Sequence, residues 1–369
     1  MLNKKICFIS PWSIHSYRWL DTFHRKGYDI SLITDTWGWI IPKVPSIPYY
    51  VLPTLDLYNL ERLVPNFLLI TKILRKTNPD LVHLHVSPHY GLLVKLNRIP
   101  FILTSWGLEI FQLPHSIFLR RVMTKNVGVA ARKITVDGEC LKNMWMEMGI
   151  PEEKIEVIPF GVDTKLFNPD VDGRGVRERL GIEENDITVI STRPLYNHHY
   201  NVECLVKAIP IVLKKHRNVK FIIKGVGPLE DYLRNLAKNL NVDEHVRFVG
   251  LMPYGEIAQY LTASNIYVST SFYDSTSVSL LEAMACGLPP VTTDILGNRE
   301  WIQNECNGLL YKPQDHAALA EKLTKLVENE DLRKKFGETN RKLILERATW
   351  EKCVSKMEAV YQSIAQRRR

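Results

Sequence analysis

Two stretches of the chain repeat one rhythm of apolar and polar positions. Short apolar runs at residues 5–10, 29–34, 79–85 and 101–104 read as buried strands, and residues 13–26 between the first two place Trp19, Leu20 and Phe23 on one helical face. Gly27 stops that helix. Further runs at 134–136 and 155–158 enclose a helical pattern at 138–148. A polar, glycine-containing segment follows at 170–185, and the rhythm then restarts. Strands are expected at 187–191, 219–224, 246–249 and 266–269, with helices at 202–215, 229–240 and 254–261. Strand alternating with helix predicts parallel, doubly wound sheets, hence an α/β chain of two Rossmann-like domains. The length, 369 residues, is more than one compact core usually spans and agrees with that division. Helices at 316–328 and 331–346 and a last one from Trp350 complete the chain, whereas residues 36–60, rich in Trp, Pro and Tyr, read as a long loop.

Chemistry concentrates at residues 271–303. Ser275, Thr276 and Ser277 are good N-caps for a helix whose first N–H groups and dipole would face the loop of Asp274, a place for an anion such as a diphosphate. Inside that helix Glu282 has Val278, Ser279, Ala285 and Cys286 three and four residues away and no basic residue to pair with. Such a carboxylate needs donors from elsewhere, and a ribose diol would supply two. The alternative is a buried structural Glu282 and a solvated Asp274. Elsewhere, His83 and His85 alternate with Val82 and Leu84 and so share one face of a strand, where satisfied structural histidines are the better reading. The stretch 111–125 mixes aromatics and leucines with Arg120, Arg121 and Lys125, which suits either an anionic membrane surface or a core-facing helix with a solvated basic side.

Composition narrows the picture a little. Hydrophobic content of 45% and charged content of 24% are those of an ordinary soluble enzyme. No run approaches the ~18 apolar residues of a membrane-spanning helix, and the first residues enter a strand pattern rather than a signal peptide. The six cysteines are scattered, without Cys-x-x-Cys, which points to reduced thiols, a cytoplasmic setting and no zinc site. A net charge of +8 suits an anionic small ligand, an anionic membrane surface, or nothing beyond solubility. Nucleic acid is not expected, because the only basic run is Arg367-Arg368-Arg369.

Several motifs, in order, carry a family resemblance. Asp274 and Glu282 stand seven residues apart, followed by Ala283-Met284-Ala285-Cys286-Gly287 and by Gly297-Asn298-Arg299-Glu300. Upstream lie Arg25-Lys26-Gly27-Tyr28-Asp29, Pro79-Asp80-Leu81-Val82-His83, Pro159-Phe160-Gly161-Val162-Asp163, Thr192-Arg193-Pro194-Leu195 and Gly225-Val226-Gly227-Pro228. Together these resemble the retaining GT-B glycosyltransferases of family four, whose donor signature is Glu-x7-Glu. The resemblance implies two domains facing across a cleft, residues 1–168 for the acceptor and 169–349 for the donor, with the helix 350–369 crossing back to the first. By position, Asp274 would touch the donor sugar, Glu282 the ribose, and Arg193 the diphosphate together with the helix start Ser275, Thr276, Ser277 and Val278. Gly225 and Gly227 would admit the nucleotide closely. Tyr200, or His199, stands at the place of a phosphate-binding lysine, and Trp106 at that of a histidine that touches donor sugar. His15 and Glu109 fall on the acceptor side, as do the residues 36–60.

The implied reaction moves a hexose or N-acetylhexosamine from a nucleotide diphosphate sugar, UDP-sugar first and GDP-mannose next, to a hydroxyl of a glycan or lipid-linked acceptor. It would proceed with retention, without cofactor or metal, at the inner face of the plasma membrane. The rival readings are a UDP-sugar epimerase-hydrolase and a non-catalytic nucleotide-sugar-binding scaffold.

Overall fold

The computed structural model describes residues 4–35, 46–52, 60–85, 88–111 and 118–366, with the backbone alone at 60–64, 88–89, 108–109, 119 and 365–366. The chain forms two compact units, Met1–Ile158 with Ala359–Arg369, and Pro159–Glu358.

The first unit is built on a seven-stranded sheet in the order β3-β2-β1-β4-β5-β6-β7, parallel throughout. Its strands are β1 (Lys5–Ile9), β2 (Asp29–Asp35), β3 (Tyr49–Leu52), β4 (Leu81–His85), β5 (Phe101–Ser105), β6 (Lys133–Val136) and β7 (Ile155–Val157). β4 and β5 are buried at every position, as strands covered on both faces of a parallel sheet should be. The helix Ile14–Arg25 packs Trp19, Leu20 and Phe23 inward, and its N-cap Ser13 accepts the Ser16 N–H. One element was not expected: β3 lies within the stretch read as loop. It is a four-residue edge strand with Tyr49 and Val51 exposed, so its sequence shows little of the burial that marks the other strands. Residues 36–45 and 53–59 of that stretch lie outside the described residues.

The second unit carries a six-stranded parallel sheet in the order β10-β9-β8-β11-β12-β13. These are β8 (Ile187–Ser191), β9 (Val219–Lys224), β10 (Val246–Gly250), β11 (Ile266–Ser269), β12 (Pro290–Thr293) and β13 (Leu309–Tyr311). Separate apolar clusters cover its two faces. Leu205, Phe221 and Leu323 belong to one, and Tyr267, Leu281 and Ile344 to the other. Residues 297–300 are mostly a short helix, Leu296–Arg299, in which Asn298 donates to the Thr293 carbonyl at 2.8 Å.

The boundary between the units differs from the one read from the motifs. Residues 159–168 and 350–358 belong to the second unit, for a specific reason. Val162 donates its N–H to Ala348 and accepts from Trp350, both at 2.8 Å, while Arg341 donates to the Phe167 and Thr164 carbonyls. The last helix, Trp350–Gln366, therefore starts in the second unit, and Tyr361 belongs to the first. There Tyr361 is 1% exposed, packs on Phe23 and Tyr28, and accepts from Lys4 Nζ through its carbonyl. Its hydroxyl lies 2.6 Å from Nδ1 of His83, whose Nε2 lies 2.6 Å from Thr104 Oγ1. His83 is thus a satisfied core histidine.

Tyr361→Phe keeps the ring and leaves His83 Nδ1 buried without a partner, at a cost of about 1–3 kcal/mol. Thermal melting should shift down by several degrees, and an unchanged midpoint would count against this role. Burial, and next the neighbouring His85, hold His83 well below the usual histidine range, and burial, then His15, brings His85 to about 3. Both rings are neutral when folded and charge when unfolded below pH ~6.5. Their contribution is complete above that pH and is lost as pH falls toward the folded values, by up to about 1.4 kcal/mol per pH unit for each ring. Urea midpoints at pH 7 and pH 5 measure this, with the lower midpoint expected at pH 5.

Candidate functional site

In the second unit the candidates gather at the carboxyl ends of β8, β9 and β11, where open α/β sheets bind their ligands. Ser277 caps the helix Val278–Ala285, its Oγ accepting from the Leu280 N–H at 3.4 Å. Arg193, two residues beyond β8 and only 7% exposed, reaches across to that cap. Its Nη1 donates to Ser277 Oγ at 2.5 Å and Ser279 Oγ at 3.1 Å, and its Nη2 donates to Asp274 Oδ2 at 2.6 Å. Burial works against the guanidinium charge; the Asp274 carboxylate, with Tyr267 and Tyr200 behind it, outweighs that and raises its pKa. Tyr267 also holds Ser279, hydroxyl to hydroxyl at 2.8 Å. Arg193 and Asp274, expected to serve separate parts of a ligand, are therefore bonded to each other. Asp274 keeps a partly exposed side chain, at 22%, and accepts from the Ser275 N–H through its other oxygen.

The Arg193 guanidinium carbon also stands 4.6 Å from the Tyr200 ring centroid. Tyr200 thus meets the arginine with its ring, and burial raises its hydroxyl pKa. His199 beside it lies parallel to Tyr273, with centroids 5.0 Å apart and planes 12° from parallel. Burial, then Arg193, lowers its pKa to about 4, against the pull of Asp274.

Gly225 and Gly227 lie against the chain's own backbone. A Cβ on Gly225 would stand 2.5 Å from the Arg193 carbonyl oxygen, and one on Gly227 2.2 Å from that of Leu195. What the missing side chains admit is the chain's own segment 193–196, tied down by Leu195 N–H to Val226 and Leu229 N–H to Leu195. Ser275 and Thr276 are buried, and Thr276 accepts from the Trp301 indole at 3.3 Å. Gly297 presses on the Asp274 loop from the other side, where a Cβ would fall 1.7 Å from the Ser275 oxygen.

Glu282 is 5% exposed and accepts from the Tyr254 hydroxyl at 2.7 Å. Lys224 is its charge partner: burial lowers the lysine pKa and Glu282 opposes that. Neither Tyr254 nor Lys224 is apparent from helical spacing, since both arrive from other elements. The one available signal was a lysine ending an apolar strand directly before Gly225. The chain has one Asp-x-Asp triplet, Asp170-Val171-Asp172, which the motif reading passes over. Asp172 binds Arg174 at 2.8 Å, and among the described residues no group of three potential metal ligands occurs.

In the first unit His15 and Trp106 come together with His85 at the ends of β1, β4 and β5. Trp106 lies 5.7 Å from the His15 ring and 5.2 Å from that of His85. His85 Nδ1 is 2.9 Å from Ser10 Oγ, while its buried Nε2 has no hydrogen-bond partner among the described residues. His85 is thus only half satisfied, unlike His83. The Glu109 side chain lies outside the described residues.

Two Rossmann-like sheets in one chain, with the last helix ending in the first unit, define the GT-B class. The fold matches sucrose-phosphate synthase from Thermosynechococcus elongatus with a TM-score of 0.84 at 20% identity, covering 98% of this chain and 99% of that one. Anabaena HepE, solved in complex with UDP and glucose, matches with a TM-score of 0.83 at 18% identity over 98% and 99% of the two chains. The family model Glycosyltransferase Family 4 matches residues 13–166, and Glycosyl transferases group 1 matches residues 174–343. N-acetyl-alpha-D-glucosaminyl L-malate synthase of Bacillus anthracis is 24% identical over 350 residues, 92% of this chain and 90% of that protein. The chain belongs to the group 1 glycosyltransferases.

Gly297→Ala should drive the Asp274–Ser275 peptide off its position and cost about 1–3 kcal/mol or more by overpacking. Gly175→Ala, with open space around the new methyl, is the control and should melt no lower than the parent. Equal melting of the two variants would show that the contact at Gly297 does not hold the loop.

Proposed function

We propose that this glycosyltransferase moves a hexose or N-acetylhexosamine from a nucleotide diphosphate sugar to a hydroxyl of a glycan or lipid-linked acceptor, with retention and without a metal ion. The observation that carries the reading is the joining of Arg193, Asp274 and the N-terminus of the helix Val278–Ala285 at one point, with Glu282 further along that helix. UDP, the nucleotide named with the Anabaena neighbour, makes a UDP-sugar the first donor to try, and GDP-mannose the next.

The chemical task is to stabilise charge appearing on the leaving diphosphate. Arg193 is held at three protein oxygens, so it and the first N–H groups of the helix act without reorganising. Ser277 to Val278 supply the positive end of the helix dipole. Glu282, oriented by Tyr254, takes the ribose hydroxyls, with the charge of Lys224 nearby. Asp274 orients the donor sugar through its exposed edge, which is positioning rather than proton transfer. The departing phosphate serves as base for the acceptor hydroxyl. In the first unit Trp106 offers a flat face for a sugar, with His15 and Glu109 on the acceptor side.

A lipid-linked acceptor gains support from the helix Phe118–Ala130. Phe118 is 79% and Val129 52% exposed, and with exposed Arg121 and Lys125 they follow a spacing that keeps them on one face. None of the described helices is long and apolar enough to cross a membrane, so this contact is peripheral.

Arg193→Lys keeps the charge but loses the fork, and should lower acceptor-dependent turnover about 10²-fold or more. Glu282→Gln should instead act mainly on the KM for donor. Nucleotide release in assays with and without acceptor, on variants that melt like the parent, reads both, and release without acceptor would favour the hydrolase. Parental turnover in Arg193→Lys, or a parental KM for donor in Glu282→Gln, contradicts the site. The anomeric configuration of the product, read by NMR, tests retention. Flotation with phosphatidylglycerol vesicles should fall severalfold in the double variant Arg121→Glu, Lys125→Glu; indifference of the parent protein to such vesicles removes the membrane from the reading.

A further inference from the structure

The turn His198–Tyr200 is docked by its backbone. Phe272 donates its N–H to the His199 carbonyl at 2.8 Å, and Thr270 Oγ1 donates to the Tyr200 carbonyl at 2.7 Å. The His199 ring itself lies against Tyr273 and 3.9 Å from the Tyr200 ring centroid. Among the described residues its ring nitrogens have no hydrogen-bond partner. The charged groups that act on it come from two elements. Arg193, beyond β8, disfavours a proton on the ring, and Asp274, in the loop after β11, favours one. Tyr273 and Tyr200 flank it as neutral phenols. His198, its neighbour in the turn, lines a separate small hollow with Glu203 and Tyr232.

The charge balance of this corner is unusual for a site that receives an anion. Arg193 is the cation nearest the helix cap, and the Asp274 carboxylate at 2.6 Å already balances it. A dianionic diphosphate placed there meets a near-neutral pair. We propose that His199 is the second cation of the donor site, and that binding of a nucleotide sugar takes up one proton from solvent at its ring. This rests on the donor-site reading above and adds to it a proton count.

Two physical effects favour the uptake. An anion within a few ångströms raises the pKa of a neighbouring imidazole, reversing the effect of Arg193. The parallel face of Tyr273 and the nearby Tyr200 ring favour an imidazolium over the neutral ring. The protonated form is therefore scarce in the protein alone, where the ring titrates near 4, and is recruited by the ligand. The sign follows from linkage. The bound pKa lies above the free one, so the added affinity is present below the bound pKa and is lost as pH rises through it, by up to about tenfold per pH unit.

The experiment is calorimetric titration of the full-length protein with UDP-glucose and with GDP-mannose between pH 5 and pH 8, in buffers of different ionisation enthalpy. Both phosphates of these ligands are diesters and do not titrate in this range, so any proton taken up belongs to the protein. The expected result is an uptake that approaches one proton as pH falls below the bound pKa, with affinity rising toward low pH. His199→Gln should bind more weakly at pH 5 with no uptake, and His199→Lys should bind with no uptake and a flat pH profile. Measurable binding with a buffer-independent enthalpy in the parent protein overturns the proposal, and so does an uptake that persists in His199→Gln. Failure of both sugar nucleotides to bind overturns the donor-site reading itself, and the proposal with it.

Discussion

A buried guanidinium holds the second unit's site together. Arg193 emerges from the sheet into a place where its charge would be costly, and Asp274, Ser277 and Ser279 receive it with three hydrogen bonds. Much else follows from that geometry. Ser277 serves both as helix cap and as arginine acceptor, so the start of the helix and the end of β8 cannot move independently. Gly225 and Gly227 lack side chains because the segment carrying Arg193 lies on them, and Gly297 lacks one because the Asp274 loop lies on it. Three glycines from two directions thus place a single ion pair.

Most of the sheet architecture was legible in the sequence because a parallel strand buried on both faces writes itself as a continuous apolar run. Residues 6–9 (Ile-Cys-Phe-Ile) and 221–223 (Phe-Ile-Ile) are of that kind. β3 was illegible for the same reason, since an edge strand with alternate residues in solvent leaves no such run. The helix cap was legible as well, because Ser277 is a local signal satisfied by a neighbour three residues on. The partners of Glu282 were not. Tyr254 approaches from 28 residues away and Lys224 from another strand, and no periodicity within one helix reveals them.

The reading of the glycines shows a different limit. That Gly225 and Gly227 mark a close approach was plain from the residue type, but what approaches is set by tertiary structure, and here it is backbone. Motif order gave the family and left the local roles open. Likewise the placing of residues 159–168 depended on hydrogen bonds from Val162 and Arg341 across more than 150 residues of chain, which no linker composition records.

The bond between His83 and Tyr361 joins positions 278 residues apart within one unit. A ribosome delivers β4 long before it delivers the residue that completes it. Until the last helix emerges, the first unit holds a core imidazole whose Nδ1 still lacks its partner, together with the aromatic surface of Phe23 and Tyr28 that Tyr361 will cover. The first unit to be synthesised is therefore the last to be finished, and the second, continuous in sequence, can close while the first still waits for its final turns of helix.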